Sequence, residues 1–234
     1  MSKVQHVLAI IPARGGSKGI PRKNVRLLAG QPLLAYSINH ARQTPAINRV
    51  VVSTDDTEIA AVSEYYGAEI IWRPAELSGD NATSESALLH TLDHLHTTEG
   101  YDPELVVFIQ ATSPIRRPND LQNAINEFQA QQADSLLSVN DFHVFLWQIQ
   151  NGTLRSLTYD YTNRPRRQDK PQEFIENGSF YLFKPWVLRE NNNRLGGKIV
   201  LYHMDMLSYF GIDELGDFEL LEKLMLDPSS GVMP

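Results

Sequence analysis

The sequence predicts an α/β protein, a mostly parallel sheet with helices on both faces. Two observations carry that prediction. Through the first 140 residues, apolar β-branched runs of strand length alternate with amphipathic segments. The connections are long enough for right-handed crossovers, so successive strands lie parallel and are covered on both sides. A third observation qualifies it: beyond Asp141 the alternation gives way to aromatic, hairpin-like sequence. One α/β domain over residues 1–140 and 176–234, with a small β-rich insertion over 141–175, is the expected organisation.

Taken in order, "HVLAIIP" reads as a buried strand and "PLLAYSINHARQ" as a helix opening after Pro32. "RVVVST" is a second strand. "DDTEIAAVSEYYG" is a helix with acids in its first turn and Gly67 at its end. "AEIIW" is a third strand, "SESALLHTLDHLH" a helix, "ELVVFIQ" a fourth strand, "PNDLQNAINEFQAQ" a helix and "SLLSV" a fifth strand. In the insertion, Asn151-Gly152 is a hairpin turn signal. Its aromatics Phe142, Phe145 and Trp147 either cover the domain's own core or, on an exposed hairpin, form a dimer contact. The chain then returns through "GSFYLF", a short helix at "PWVLRE", a strand at "KIVLYHM" and a last helix from Asp213 to about Leu226.

With 234 residues, 42% of them hydrophobic, the chain is long enough for a substantial core. It has no cysteine, which removes disulfides, thiolate nucleophiles and Cys-ligated zinc. Neither a membrane-spanning run nor a signal peptide is visible, so a cytoplasmic protein is expected. The formal net charge of −7 argues against nucleic-acid binding, which needs a broad basic face. It leaves room for a small polyanion, for which only the local field counts.

That field is set by "IPARGGSKGIPRKN", directly after the first strand. It carries Arg14, Lys18, Arg22 and Lys23, three glycines and no acid. Gly15, Gly16 and Gly19 permit close backbone approach, Arg14 can bridge two phosphate oxygens, and the other cations can act as mobile point charges. The spacing is neither that of a P-loop nor G-x-G-x-x-G. Ligands of open α/β sheets bind beyond the carboxyl ends of the strands, where this loop, "TDD" and "QATSP" all fall. Phosphate binding is the reading; a solvated surface loop is the alternative. His90 and His94 lie at i and i+4, but the Glu of H-E-x-x-H is missing and the segment reads as an amphipathic helix.

The same stretch closely resembles the N-terminal signature of the acylneuraminate cytidylyltransferases. The resemblance continues in order through "VVSTDD", "RPAEL", "QATSP", "RRQ", "NGSFYL" and "IDELGDFEL", nearly the whole chain. It implies a Rossmann-like nucleotidyltransferase fold and transfer of cytidylate from CTP to a nine-carbon α-keto acid sugar, with Mg²⁺ as cofactor and pyrophosphate released. By that resemblance Arg14 and Lys23 hold the triphosphate and, with Asp213, are the catalytic set. Ala13, Gly16, Asn24, Arg73, Ala82, Ser84 and Gln110 complete the nucleotide site, and Gln110, Arg167 and Asn177 meet the sugar. Asp213 is the implied metal ligand, with Asp217 nearby, while Gly211 stands where many relatives carry an acid. A homodimer through the insertion is implied too. Read on the residues alone, Arg73 suits a surface ion pair, Ser84 a helix N-cap, Asn177 a turn and Asp213 the N-cap of the last helix. Arg116 and Arg117 meet either an anion or solvent. A cytidylyltransferase for a 3-deoxy-octulosonate or a phosphonate, and a non-catalytic CTP-binding relative, are the competing functions.

Overall fold

The computed structural model describes residues 6–17 and 19–227, so Lys18 lies outside the described residues. In chain order the elements are β1 (Val7–Pro12), the two-residue strands β2 (Leu27–Leu28) and β3 (Gln31–Pro32), α1 (Leu33–Arg42), β4 (Arg49–Thr54), α2 (Thr57–Tyr65) and β5 (Glu69–Trp72). Then come α3 (Ser84–Glu99), β6 (Leu105–Ile109), α4 (Asp120–Ala130) and β7 (Ser135–Asp141). The chain ends with β8 (Trp147–Gln150), β9 (Thr153–Ser156), β10 (Phe174–Phe183), α5 (Pro185–Asn191), β11 (Ile199–His203) and α6 (Leu215–Leu226).

Seven strands form one sheet in the order β11-β7-β10-β6-β1-β4-β5. All are parallel except β10, which runs antiparallel to both neighbours. The strands are apolar throughout because both faces are covered. Val7, Ala9 and Ile11 of β1 point to one side, where Leu34 and Ile38 of α1 and Ile125 and Phe128 of α4 pack on them. Leu8 and Ile10 point to the other, against Leu88 and Leu92 of α3 and Val187 and Leu188 of α5. Fully burying one such side chain contributes about 2 kcal/mol. A third cluster joins Ile20 and Leu28 to Ile212, Phe218 and Leu221, fastening α6 over the loop that follows β1.

This order positions the site. From β1 the chain moves outward to β4 and β5, then crosses back to β6 on the other flank of β1. The crossovers therefore diverge at the carboxyl ends of β1 and β6 and leave a crevice there.

The insertion is an arm on this frame. β8 and β9 pair only with each other, across a turn in which Asn151 (φ +50°) and Gly152 (φ +75°) both take left-handed backbone. Phe145 does not cover the main core. It packs edge-on to Tyr159 at 4.5 Å, under the Arg164 guanidinium at 4.1 Å. Lys170 pins the arm's root by donating to the Val144 carbonyl and to Glu173, both at 2.6 Å. Trp147, Ile149 and Leu154 remain exposed.

Three local expectations change. The returning strand begins at Phe174, pairs with Asp141 and runs through Gly178, so β10 crosses the expected insertion boundary. Asn177 is therefore no turn before a strand; it lies in an irregular bulge between the pairs Glu176–Val139 and Tyr181–Leu137. The last helix starts at Leu215 with Glu214, not Asp213, as its N-cap. No described helix is long and apolar enough to cross a membrane.

Candidate active site

The loop after β1 is built by close approaches. Ala13, 1% exposed, extends the ladder to β4 by donating its amide to the Ser53 carbonyl at 2.9 Å. The Gly15 amide donates to Asp55 Oδ1 at 2.9 Å, and a Cβ there would come within 2.7 Å of Asp56. A Cβ at Gly19 would lie 2.5 Å from the Asp213 carbonyl oxygen, so only glycine lets the loop meet the segment before α6. Open space surrounds Gly16.

The loop's cations have different duties. Arg22 is not a mobile charge: it is held in an ion-paired cluster by Asp56 and Glu58. Those bonds raise the arginine's pKa and pull the Asp56 carboxyl down to about 2. Arg14 donates Nη1 to the Gly79 carbonyl at 2.7 Å and sits 3.8 Å from Asp80. Lys23 donates Nζ to the Ile212 carbonyl at 2.8 Å and lies 3.4 Å from Asp213 Oδ1. Asn24, 8% exposed, donates to the Arg14 carbonyl at 3.1 Å and so locks the turn that carries the arginine.

These groups line one cleft of about 370 Å³ at the switch point of the sheet. Arg14, Lys23 and Asn24 come from the loop, Ser84 from the start of α3, Phe108, Gln110 and Thr112 from the end of β6, and Asp213 from the approach to α6. Ser84 is not the cap. Thr83 takes that place, its Oγ1 accepting from the Ser86 amide at 3.1 Å, and Ser84 opens the first turn facing the cleft. The helix N-terminus adds partial positive charge to a wall that already carries two cations.

Other expected site residues stand apart. Arg73 is no surface ion pair. It is 8% exposed and donates to the Ser53 carbonyl at 2.7 Å and to Ser53 Oγ at 3.2 Å, behind the strand ends. Burial lowers its pKa. Ala82 lines an adjoining depression with Gly79 and Asp80. Asn177 is 9% exposed; it accepts from Ser138 Oγ at 2.6 Å and donates to Asn140 Oδ1 at 3.0 Å. Its amide anchors the bulge and does not line the cleft. Arg167 is exposed on a short 3₁₀ turn of the arm, outside the cleft of its own chain. Arg116 meets neither anion nor solvent: it is 6% exposed beneath Gln110. Arg117 pairs with Asp205 on the surface.

At the carboxylate end, the Asp213 side chain is 88% exposed, with Lys23 as its neighbour. Asp217 Oδ2 accepts from the amides of Asp213 and Glu214, both at 2.8 Å, and closes a capping box with Glu214. Among the described residues no three His, Cys, Asp or Glu converge as a metal cage, including around His90 and His94, whose rings are 6.2 Å apart. The residues present fit Mg²⁺ all the same, since that ion is held by one or two carboxylates with phosphate oxygens and water completing its octahedron.

A cleft at the carboxyl ends of β1 and β6 thus brings together two cations, one carboxylate and two carboxamides, groups suited to a small polyanion. A family model described as Cytidylyltransferase matches residues 8–225. The chain belongs to that family. It is 37% identical over 228 residues to N-acylneuraminate cytidylyltransferase A of Danio rerio, covering 96% of this chain and 52% of that protein. It is 30% identical over 230 residues to the post-translational flagellin modification protein B of Campylobacter coli, covering 95% and 96% of the two. The chain thus spans about half the length of the first of these relatives and nearly all of the second. Among solved structures, a CMP:2-keto-3-deoxy-manno-octonic acid synthetase complexed with CTP superposes with a TM-score of 0.69 at 17% identity, covering 94% of this chain and 98% of that one. That likeness speaks for the fold. The motif resemblance to acylneuraminate cytidylyltransferases therefore agrees with both the family model and the sequence relatives.

Sequence reading missed the aromatic floor, Phe108, and the loop hydroxyl of Ser17, both of which line the cleft. Nothing in a strand-interior Phe distinguishes it from a core residue. Position beside Gln110 at the switch point is the only signal, and it needs the strand order.

Proposed function

We propose that this chain is a CTP-dependent cytidylyltransferase that activates a nine-carbon α-keto acid sugar of the sialic acid type. The observation that carries the reading is the convergence of Arg14, Lys23, Gln110 and Asp213 on one cleft at the sheet's switch point. The sugar's anomeric hydroxyl oxygen forms a bond to the α-phosphorus, the bond from that phosphorus to the β-phosphate bridge oxygen breaks, and pyrophosphate and a proton leave. Arg14 and Lys23 hold the triphosphate and stabilise the charge that grows on it. Positioning and electrostatics of this kind carry most of the acceleration in phosphoryl transfer. Asn24 orients Arg14, Ser84 and Ala82 border the nucleoside, and Ala13, Gly16 and Arg73 shape the backbone beneath it. Gln110 stands between base and sugar. Asp213 is the residue that would hold Mg²⁺, which supplies charge neutralisation between phosphate groups when bound with the nucleotide. The cytoplasm, where CTP is made, is the place of the reaction.

Arg167 grips the sugar carboxylate, bidentately as arginine does. Because it lies outside its own chain's cleft, the reading includes a homodimer in which each arm serves the neighbour's site. The exposed Trp147, Ile149 and Leu154 support that. Trp147→Ala is expected to weaken the dimer about tenfold or more in sedimentation equilibrium; a chain that is monomeric with or without Trp147 ends the idea.

The decisive assay is pyrophosphate release with CTP and Mg²⁺ against neuraminate, legionaminate, pseudaminate and octulosonate forms, with UTP and ATP as controls. CTP-dependent release with a nine-carbon acid supports the reading. Release only with the octulosonate transfers it to that substrate, and CTP binding with no release from any acceptor rejects the enzyme.

A further inference from the structure

Arg116 follows β6 in "TSPIRRP" and is 6% exposed. Its guanidinium reaches three elements at once. Nη1 donates to Ser37 Oγ of α1 at 3.1 Å; Nη2 donates to the carbonyl oxygens of Gln110 and of Ser179 in β10, both at 2.9 Å. The pairing of β6 with β10 stops at Ile109–Phe180, and the Gln110 amide then donates to the Ser179 carbonyl at 3.1 Å. The guanidinium thus sits just past the last rung of the ladder and replaces the next one.

A charge buried this deeply is expensive, and a neutral donor could satisfy these acceptors at lower cost. Burial pushes the arginine's pKa down to about 9, with Asp120 the carboxylate that offsets the effect. No carboxylate forms an ion pair with it among the described residues. What the charge secures is the backbone of Gln110, which with Asn24 supplies the two carboxamides that line the cleft. The bulge of β10 is shaped to the same end: Gly178 has φ +68°, and a Cβ there would stand 3.3 Å from Gln110 Oε1.

We propose that Arg116 is the positioning residue for Gln110, fixing the rotation of the strand end so that the carboxamide faces the cleft. Its donors also engage the Gln110 and Ser179 carbonyl oxygens, turning two partial negative charges away from a polyanion site. The inference rests on the proposed function only in taking Gln110 to touch the nucleotide.

The test is a double-mutant cycle in the full chain with Arg116→Lys, Gln110→Ala and the pair. CTP affinity is read by titration calorimetry, kcat/KM by pyrophosphate release, and the thermal midpoint alongside. An ammonium cannot reach all three acceptors in the guanidinium's fixed fork. Arg116→Lys is expected to weaken CTP binding and kcat/KM about tenfold in the parent chain and less than about twofold in the Gln110→Ala background. The midpoint should fall equally in both. Equal fold-losses of affinity in both backgrounds would overturn the proposal, because the arginine would then act on the fold alone. Should Arg116→Lys not fold, Arg116→Gln, which keeps a neutral donor but loses the fork, takes its place; Ser37→Ala would not serve, since it would also remove that hydroxyl's own 3.4 Å bond to the Gln110 carbonyl. A parent chain that binds CTP and releases no pyrophosphate speaks against the proposed reaction, while the cycle on CTP affinity still decides the role of Arg116.

Discussion

Lys23→Ala is expected to cut pyrophosphate release about a thousandfold and to leave a folded protein. The side chain is 13% exposed, so its ammonium acts where solvent screening is weak. It stands at the loop's exit, facing the cleft, with the Ile212 carbonyl and the Asp213 carboxylate as its partners. Removing it takes away a charge that faces the cleft, the weaker 3.4 Å contact with Asp213 and one 2.8 Å charge-assisted hydrogen bond to the Ile212 carbonyl. That bond is worth about 2 kcal/mol, which in a chain of this size moves the thermal midpoint by about 5 °C. The hydrophobic cluster around Ile20, Ile212 and Phe218 keeps the loop and α6 together without it. A midpoint lowered by twenty degrees or more would make Lys23 a strut between the loop and α6. Turnover near that of the parent would remove it from the phosphate site.

The second large effect separates two aspartates four residues apart. Asp213→Asn is expected to lower activity about a hundredfold at fixed Mg²⁺ and to raise the Mg²⁺ concentration for half-maximal rate. Asp217→Asn should leave that concentration unchanged and lower the thermal midpoint by a few degrees, since its carboxylate closes the capping box at the helix N-terminus. The geometry makes the distinction: one carboxylate is 88% exposed at the cleft, the other is spent on two backbone amides. Equal shifts in the Mg²⁺ requirement would mean that the two carboxylates serve one metal site, and the assignment of Asp217 to the cap alone would fall.

The layer architecture was legible because it rests on local pattern. Strand-length apolar runs buried on both faces and helices of amphipathic period announce themselves within a dozen residues, as β1 and α4 do. The loop's local positive charge was legible for the same reason, four cations without an acid. What was not legible depends on partners far along the chain. Arg22 reads as a free cation until β4 brings Asp56 and Glu58 beside it. Asn177 and Arg116 read as surface polar residues until the strand order buries them under β6 and β7. Helix ends slipped by one residue where two capping residues stand together: Thr83 beside Ser84, and Asp213 beside Glu214. Local sequence allows either, and tertiary contacts choose.

The arm departs from β7 and returns on β10, and these two strands are immediate antiparallel neighbours, with Asp141 paired to Phe174. Its two ends are therefore held about 5 Å apart by the sheet itself. Such a segment behaves as a cassette. The cleft at the ends of β1 and β6, none of whose lining residues falls within 142–173, would keep its frame if those residues were exchanged for an arm of another length or lining, or for a plain turn. On the proposed function, acceptor choice and CTP chemistry would then be separately adjustable, and a library confined to those residues would be the place to seek a changed sugar preference.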